Sequence, residues 1–149
     1  MIKNLNSIDR LKKAFEICDY YDPFFIAEIG INHNDSMQLV KELIDMAKNA
    51  GCDAVKFQKR TIDVVYSKEI LDSPRKSPWG ETTREQKLGL ELCLEDYIEI
   101  DSYCKEKNIM WSASAWDIKS QDFLRGFELP FNKVASAMAT NIPFIKYVA

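Results

Sequence analysis

The segment Phe24–Arg60, FFIAEIGINHNDSMQLVKELIDMAKNAGCDAVKFQKR, decides the fold of this chain. Its apolar run at 24–27 is too short for a helix and is followed by the breaker Gly30, which predicts a strand. The run at 54–58 predicts a second strand. Because the chain between the two runs is long enough for a helix, we expect parallel strands joined by a right-handed crossover.

The helix between these strands is predicted by the spacing of its apolar residues. Asp35 and Gln38 resemble a capping box at its start, and Gly51 stands where a glycine commonly follows a helix. The apolar residues at helical spacing are Met37, Val40, Leu43, Ile44 and Ala47.

Polar residues close both predicted strands. Glu28 ends the first strand, and Lys56 and Gln58 end the second. In parallel α/β folds, reactive groups gather at the carboxyl ends of the strands, so these residues are candidates for a site. Surface charges, or a structural ion pair between Glu28 and Lys56, would explain the same pattern.

Composition narrows the class of protein. The chain has 149 residues, of which 46% are hydrophobic, enough for one sizeable core. Its net charge of -3 argues against a general binder of nucleic acid or acidic membranes. No apolar stretch is long enough to span a bilayer and no secretory signal begins the chain, so we expect a cytoplasmic protein. The four cysteines lack metal-site or disulfide spacing and are expected to be reduced.

The segments that flank the two strands differ in character. Residues 1–23 are predicted to form an N-terminal extension with a short amphipathic helix, Ser7–Cys18. Thr61–Glu81 is expected to be a long irregular loop, either a lid over the strand ends or a solvated loop. The positive and aromatic groups in and after it are Arg75, Lys76, Trp79 and Arg84.

The rest of the chain continues the alternation of helices and strands. Helices are predicted at 82–90, at 93–107, from Asp117 and from Ile142, and strands at 109–115 and 132–136. This βαβαβαβα order, without a Gly-rich phosphate motif after any strand, favours an α/β fold of the (β/α) TIM-barrel type. A complete barrel needs about 250 residues. Residues 24–149 would therefore form about the first four βα units, a half-barrel.

Several runs then resemble, in order, the N-acetylneuraminate (sialic acid) synthase family. They are IAEIGINHN, AGCDAVKFQ, KVASAM and NIPFIKYVA, and SPWGETTREQK is similar to a loop of the family's bacterial surface-sugar subgroup. The resemblance implies a (β/α)₈ barrel that works as a homodimer. It implies condensation of phosphoenolpyruvate with an N-acetylmannosamine-type sugar, giving a nonulosonic (sialic-type) acid and phosphate. It also implies a divalent metal, Mn or Mg, whose ligands lie outside this chain.

The resemblance assigns roles by position. Lys56 resembles the lysine that contacts phosphoenolpyruvate, and Glu28 resembles a residue facing the sugar that can stabilise charge or steer a proton. These two are the catalytic candidates. The substrate-binding candidates are Gln58, Arg84, Ser114, Lys133 and Ser136.

Three positions depart from the family pattern or need separate explanation. His33, the single histidine, belongs to the NHN turn and is expected to hydrogen-bond there rather than bind metal. Met138 stands where many relatives carry a Glu used in the sugar site. Asp35 replaces a usual glycine, a change that we expect to be structural.

Two alternatives to a partial sialic acid synthase stay open. One is another enzyme condensing phosphoenolpyruvate with an aldose, related to 3-deoxy-octulosonate phosphate synthases. The other is a non-catalytic half-barrel that self-associates or complements a second chain, because a half-barrel leaves open sheet edges.

Overall fold

Four parallel strands form the main sheet. The structure, a computed structural model, describes residues 23–149, so the predicted helix Ser7–Cys18 lies outside the described residues, as does the N-terminal extension except for Pro23. The strands are β1 (Ile26–Gly30), β2 (Ala54–Lys59), β3 (Pro74–Ser77), β4 (Gly80–Thr82), β5 (Met110–Ala115) and β6 (Lys133–Val134). The main sheet has the order β1-β2-β5-β6 with every neighbouring pair parallel, which confirms the predicted parallel α/β fold.

Helices connect the strands of the main sheet. They are α1 (Met37–Asn49), α2 (Ile62–Val65), α3 (Lys68–Leu71), α4 (Thr83–Leu88), α5 (Leu94–Glu106), α6 (Ile118–Arg125) and α7 (Ile142–Val148), with a 3₁₀ helix at Ser136–Met138. The helices predicted after the second strand are confirmed. The strand predicted at 132–136 is β6, which is shorter than predicted. Within residues 23–149, no helix combines the length and apolarity needed to cross a membrane.

Helix α1 begins one residue later than predicted. Its N-cap is Ser36, whose hydroxyl accepts a hydrogen bond of 3.3 Å from the Leu39 amide. Asp35 instead lies in the turn before it with φ of 60°, a left-handed conformation that glycine adopts most readily. The predicted end is right, because Gly51 follows the helix with φ of 84°.

The core lies between one face of the main sheet and the helices. Val55 and Phe57 of β2 and Trp111 and Ala113 of β5 belong to one buried apolar cluster, which includes residues of α1, α5, α6 and α7. Because successive side chains of a strand point to opposite faces, Lys56 and its neighbours in register lie on the other face. We call these the apolar face and the polar face of the sheet.

Residues 61–92, here called the hairpin unit, are ordered rather than irregular, so the prediction of a structureless loop is wrong. Strands β3 and β4 form an antiparallel hairpin, preceded by α2 and α3. The Thr82 side chain caps α4 in a capping box with Glu85, whose carboxylate also accepts from the Glu81 amide at 2.9 Å. Gly89 leaves room for Trp79, since a Cβ there would lie 2.1 Å from Trp79 Cδ1. Helix caps and close packing thus order the hairpin unit, although its sequence has no hydrophobic periodicity.

Candidate active site

Strand register places six polar side chains on the polar face. Glu28 is paired with Lys56, Lys56 with Ser112, Gln58 with Ser114, and Ser114 with Lys133. Residues paired in register share a face. The polar face therefore carries Glu28, Lys56, Gln58, Ser112, Ser114 and Lys133.

Lys56 is the centre of this group. The residue is 2% exposed, its Nζ forms an ion pair with Glu28, and it donates a 2.8 Å hydrogen bond to Ser114 Oγ. Burial lowers the pKa of the Lys56 ammonium, the Glu28 carboxylate opposes this, and the charge of Lys133 adds to the lowering. The Glu28 side chain is 58% exposed, so one end of this ion pair faces solvent. The predicted proximity of these residues is confirmed.

Gln58 is positioned by Tyr97 of α5 and Gly30 of β1. Its backbone carbonyl accepts a 2.7 Å hydrogen bond from the buried Tyr97 hydroxyl. Its side chain lies beside Gly30, where an added Cβ would be 3.3 Å from Gln58 Nε2. Gly30 also has φ of 59°, so a larger residue there would be strained and would crowd the amide.

Two other predicted residues, Lys133 and Ser136, lie at the β6 edge of the sheet and are less buried than Lys56. Lys133 lies in β6 opposite Ser114, while Ser136 is exposed in the 3₁₀ helix that follows. Met138 packs against the apolar core. Sequence reasoning missed Ser112, whose hydroxyl donates a 2.9 Å hydrogen bond to the Phe131 carbonyl before β6. The sequence alternates Ser112 and Ser114 with the apolar Trp111 and Ala113, and this alternation could have identified Ser112 as a residue of the polar face.

The hairpin unit gives Arg84 different partners. Its guanidinium forms an ion pair with Asp63 and lies 3.8 Å from Asp72. The structure therefore does not group Arg84 with Lys56 as it groups Glu28 and Ser114. A role for Arg84 in substrate binding stays a prediction.

His33 takes part in the turn after β1. It is 2% exposed, and its Nδ1 accepts a 3.2 Å hydrogen bond from the Asp35 amide. Burial is the main reason that the pKa of His33 is lowered, which favours the neutral ring. Across residues 23–149, no group of three or more His, Cys, Asp or Glu side chains is arranged to hold a metal ion. Cys52, Cys93 and Cys104 are free thiols, as predicted.

This arrangement suits a small anionic ligand. Two lysines and a hydroxyl converge at the carboxyl edge of a parallel sheet, where they can neutralise and orient phosphate or carboxylate oxygens. Glu28 is exposed beside them and can accept or return a proton.

Comparison with known families gives one match over most of the chain. Residues 43–149 match the NeuB family. Among curated relatives, an N-acetylneuraminate-9-phosphate synthase of Drosophila melanogaster is 39% identical over 128 residues, covering 85% of this chain and 34% of the relative. An N,N'-diacetyllegionaminic acid synthase of Legionella pneumophila is 34% identical over 129 residues, covering 85% of this chain and 36% of the relative. The chain thus spans about a third of the length of these relatives.

Two crystal structures share the fold. The spore coat polysaccharide biosynthesis protein spsE of Bacillus subtilis has a TM-score of 0.65 and 33% identity, covering 84% of this chain and 32% of that protein. An N-acetylneuraminic acid synthetase of Leptospira borgpetersenii, in complex with citrate, has a TM-score of 0.69 at 23% identity. That match covers 83% of this chain and 40% of the other protein, and at this identity it shows the fold alone.

Proposed function

The chain belongs to the NeuB family, and from this membership we propose that it forms the phosphoenolpyruvate-binding part of a nonulosonic acid synthase. The reaction condenses phosphoenolpyruvate with an N-acetylmannosamine-type sugar and releases phosphate. The observation that carries this proposal is the buried Lys56, held between Glu28 and Ser114 beside Lys133. The names of the relatives favour sialic-type acids over the octulosonate class.

The proposal extends to the architecture. The main sheet would be the first half of a (β/α)₈ barrel, with the polar face turned toward the barrel interior. Its strand order follows the chain, and its polar groups gather near the carboxyl ends of the strands, where barrel enzymes carry their active sites. Half of a barrel would make this chain a partial enzyme.

The residues of the polar face would have different roles in the reaction. Lys56, Ser114 and Lys133 would bind the phosphate and carboxylate of phosphoenolpyruvate. Gln58 would face the sugar, with Arg84 and Ser136 as further contacts. C3 of phosphoenolpyruvate then forms the new C–C bond with the sugar aldehyde, water adds at C2, and the C2–O bond to phosphate breaks. Glu28 would stabilise the positive charge that develops at C2 or accept the proton of that water.

The metal of the family does not fit the residues described. A Mn or Mg ion would polarise the sugar aldehyde. Since residues 23–149 hold no suitable cluster of ligands, we propose that its ligands come from outside this chain.

The test measures phosphoenolpyruvate binding by calorimetry, and phosphate release with manganese and a panel of N-acetylated hexosamines. We expect the chain to bind phosphoenolpyruvate and Lys56→Met to weaken binding about 100-fold, since it removes a charge-assisted contact. Lys119→Met, on the exposed surface of α6, is the matched control. Turnover restored by adding the remaining barrel half of a relative would establish the partial enzyme. Equal binding by both variants would refute the proposal.

A second candidate function is non-catalytic association. Phe25 is 56% exposed and Ile26 is 43% exposed at the β1 edge, and such apolar groups beside an open strand favour pairing with another chain. The partner would be a second copy or a second half-barrel. Sedimentation that shows a dimer without any binding of phosphoenolpyruvate would support this reading.

A further inference from the structure

Lys56 has the surroundings of a reactive amine as well as those of a binding cation. Its Nζ donates a 2.8 Å hydrogen bond to Ser114 Oγ and forms an ion pair with Glu28, while the residue as a whole is 2% exposed. The Glu28 side chain is 58% exposed, so its carboxylate lies on the solvent side of the pair. A carboxylate in contact with a lysine can take the proton of the ammonium, which leaves the nucleophilic neutral amine.

Burial acts on Lys56 in the same direction. It lowers the pKa of the ammonium, an effect that the Glu28 carboxylate opposes and the positive charge of Lys133 reinforces. Buried lysines with a lowered pKa are the ones that serve proteins as Schiff-base nucleophiles. The contacts of Lys56 and its electrostatic surroundings therefore agree.

Lys59, three residues later in β2, has different surroundings. Its Nζ donates a 2.8 Å hydrogen bond to the Leu92 carbonyl and lies 3.6 Å from Glu91 Oε2. It also lies over the Phe123 ring, 5.0 Å from the ring centre. A carbonyl, a carboxylate and an aromatic face all stabilise an ammonium. Strand β2 thus carries one lysine held as a cation and one placed to lose its proton.

A second cation lies beside the amine of Lys56. Lys133 is in register with Ser114, whose hydroxyl contacts Lys56, so the two lysines share the polar face. Lys133 is partly exposed and can pair with the carboxylate of a ligand. A ligand whose carbonyl carbon is bonded to its carboxylate would therefore present that carbon to Lys56 while the carboxylate faces Lys133.

We propose that Lys56 forms an imine with small 2-keto acids. The proton of its ammonium passes to Glu28, and the lone pair of Nζ attacks the keto carbon. The new N–C bond gives a carbinolamine, as a proton moves from Nζ to the former carbonyl oxygen. Glu28 then returns its proton to this hydroxyl group, the C–O bond breaks, and water leaves behind a protonated imine.

This activity shares residues with the proposed function but does not depend on it. The proposed reaction also yields a 2-keto acid, because addition of water at C2 and loss of phosphate leave a carbonyl there. Pyruvate carries the same keto and carboxylate groups in a small molecule, and it is therefore the probe.

The test incubates the whole chain with pyruvate, reduces the imine with cyanoborohydride and locates the adducts by peptide mass spectrometry. We expect Lys56 to be the main modified residue, although Lys119 of α6 is far more exposed. Pyruvamide, which lacks the carboxylate charge, should modify Lys56 about tenfold less. Lys133→Gln should remove most of this preference for pyruvate.

Variants of the two compared lysines complete the test. Lys56→Arg keeps the positive charge but cannot form an imine, so the total yield of adduct should fall to the background of exposed lysines. Lys119→Arg is the matched control and should leave the yield unchanged. Peptide mapping of the unaltered chain needs no variant, so a folding defect in Lys56→Arg would not obscure the result.

Several outcomes would overturn the proposal. Lys56 might be modified no more than Lys119, which would show only the general reactivity of exposed amines. Equal yields with pyruvate and pyruvamide would show that the site does not recognise 2-keto acids. Calorimetry with phosphoenolpyruvate, run in parallel, tests the proposed function separately. Binding of phosphoenolpyruvate without an imine at Lys56 would reject this proposal alone, and an imine without such binding would reject the proposed function alone.

Discussion

The two faces of the main sheet use the same strands for different purposes. On β2, Val55 and Phe57 are fully buried in the apolar core, while Lys56 between them joins Glu28 and Ser114. On β5, Trp111 and Ala113 alternate in the same way with Ser112 and Ser114. The contrast shows that strand alternation gives the two faces different chemistry, because one packs the apolar core and the other carries the polar group around Lys56.

The largest expected effect tests the apolar face. Phe57→Ala should lower the free energy of unfolding by about 3–5 kcal/mol, because it removes a fully buried ring and leaves a cavity. Urea unfolding followed by circular dichroism measures the loss. The matched control is Leu88→Ala, since Leu88 is 52% exposed and should change stability little. Equal effects of the two variants would contradict the assignment of Phe57 to the core on the apolar face.

The next effect tests the end of the sheet, where both faces meet the connecting loops. Asp117 accepts hydrogen bonds from the amide and hydroxyl of both Thr61 and Ser120. Asp117→Asn should cost about 1–3 kcal/mol, since a charged acceptor is lost from a buried network. The exposed Asp122→Asn in the same helix is the control.

Asp117 also predicts a dependence of stability on pH. Burial would raise the pKa of this carboxyl, but the hydrogen bonds from Ser120 and Thr61 outweigh it and the pKa is lowered. The carboxylate therefore contributes stability that is full above its unfolded-state pKa of about 3.9 and is lost as pH falls through its folded-state value. The slope of stability against acid pH should be shallower in Asp117→Asn. An unchanged slope would contradict the assignment.

A smaller effect tests the hydrogen bond between α5 and the backbone of β2. Tyr97→Phe removes the hydrogen bond to the Gln58 carbonyl while preserving the ring, so we expect a loss of about 1 kcal/mol. Hydrogen exchange of the β2 amides should speed up accordingly. Tyr103→Phe provides the comparison, because its partner Asp45 also pairs with Lys107 at the surface. A larger effect of Tyr103→Phe would be the opposite of this expectation.

The smallest effect on stability is expected on the polar face. Lys56→Met should leave the free energy of unfolding within about 1 kcal/mol of the parent, because a buried ammonium gains little over a packed apolar side chain. The pKa of Lys56 is lowered in the fold, so the unfolded chain holds this proton to higher pH and stability should rise with pH up to about 10.4. That rise should vanish in Lys56→Met. A strong destabilisation would show that the polar face also holds the fold.

The sequence could predict the strand ends because alternation is local. Glu28, Lys56 and Ser114 follow from strand periodicity and from the placement of parallel strand ends, and the structure brings them together. The hairpin unit could not be predicted in this way. Its strands, PRKS and GET, have little β propensity, and their pairing depends on contacts with α4 and on Gly80, which has φ of 148°.

Residues that act through distant partners were also beyond sequence reasoning. Arg60 contacts Glu91, 31 positions away, and nothing in the local pattern connects them. Ser36 caps α1 in place of Asp35, because Asn34 and Asp35 adopt the left-handed backbone conformation in the turn before the helix. A capping pattern fixes the start of a helix only to within a residue or so.

The order of the main sheet has a consequence for synthesis. Each strand pairs with the main-sheet strand that precedes it in the chain: β2 with β1, β5 with β2, and β6 with β5. A nascent polypeptide leaving the ribosome can therefore extend the sheet at one growing edge, without waiting for a later segment to supply a missing neighbour. Translation itself would set the sequence of strand addition, and slipped or swapped pairings would have little time to compete.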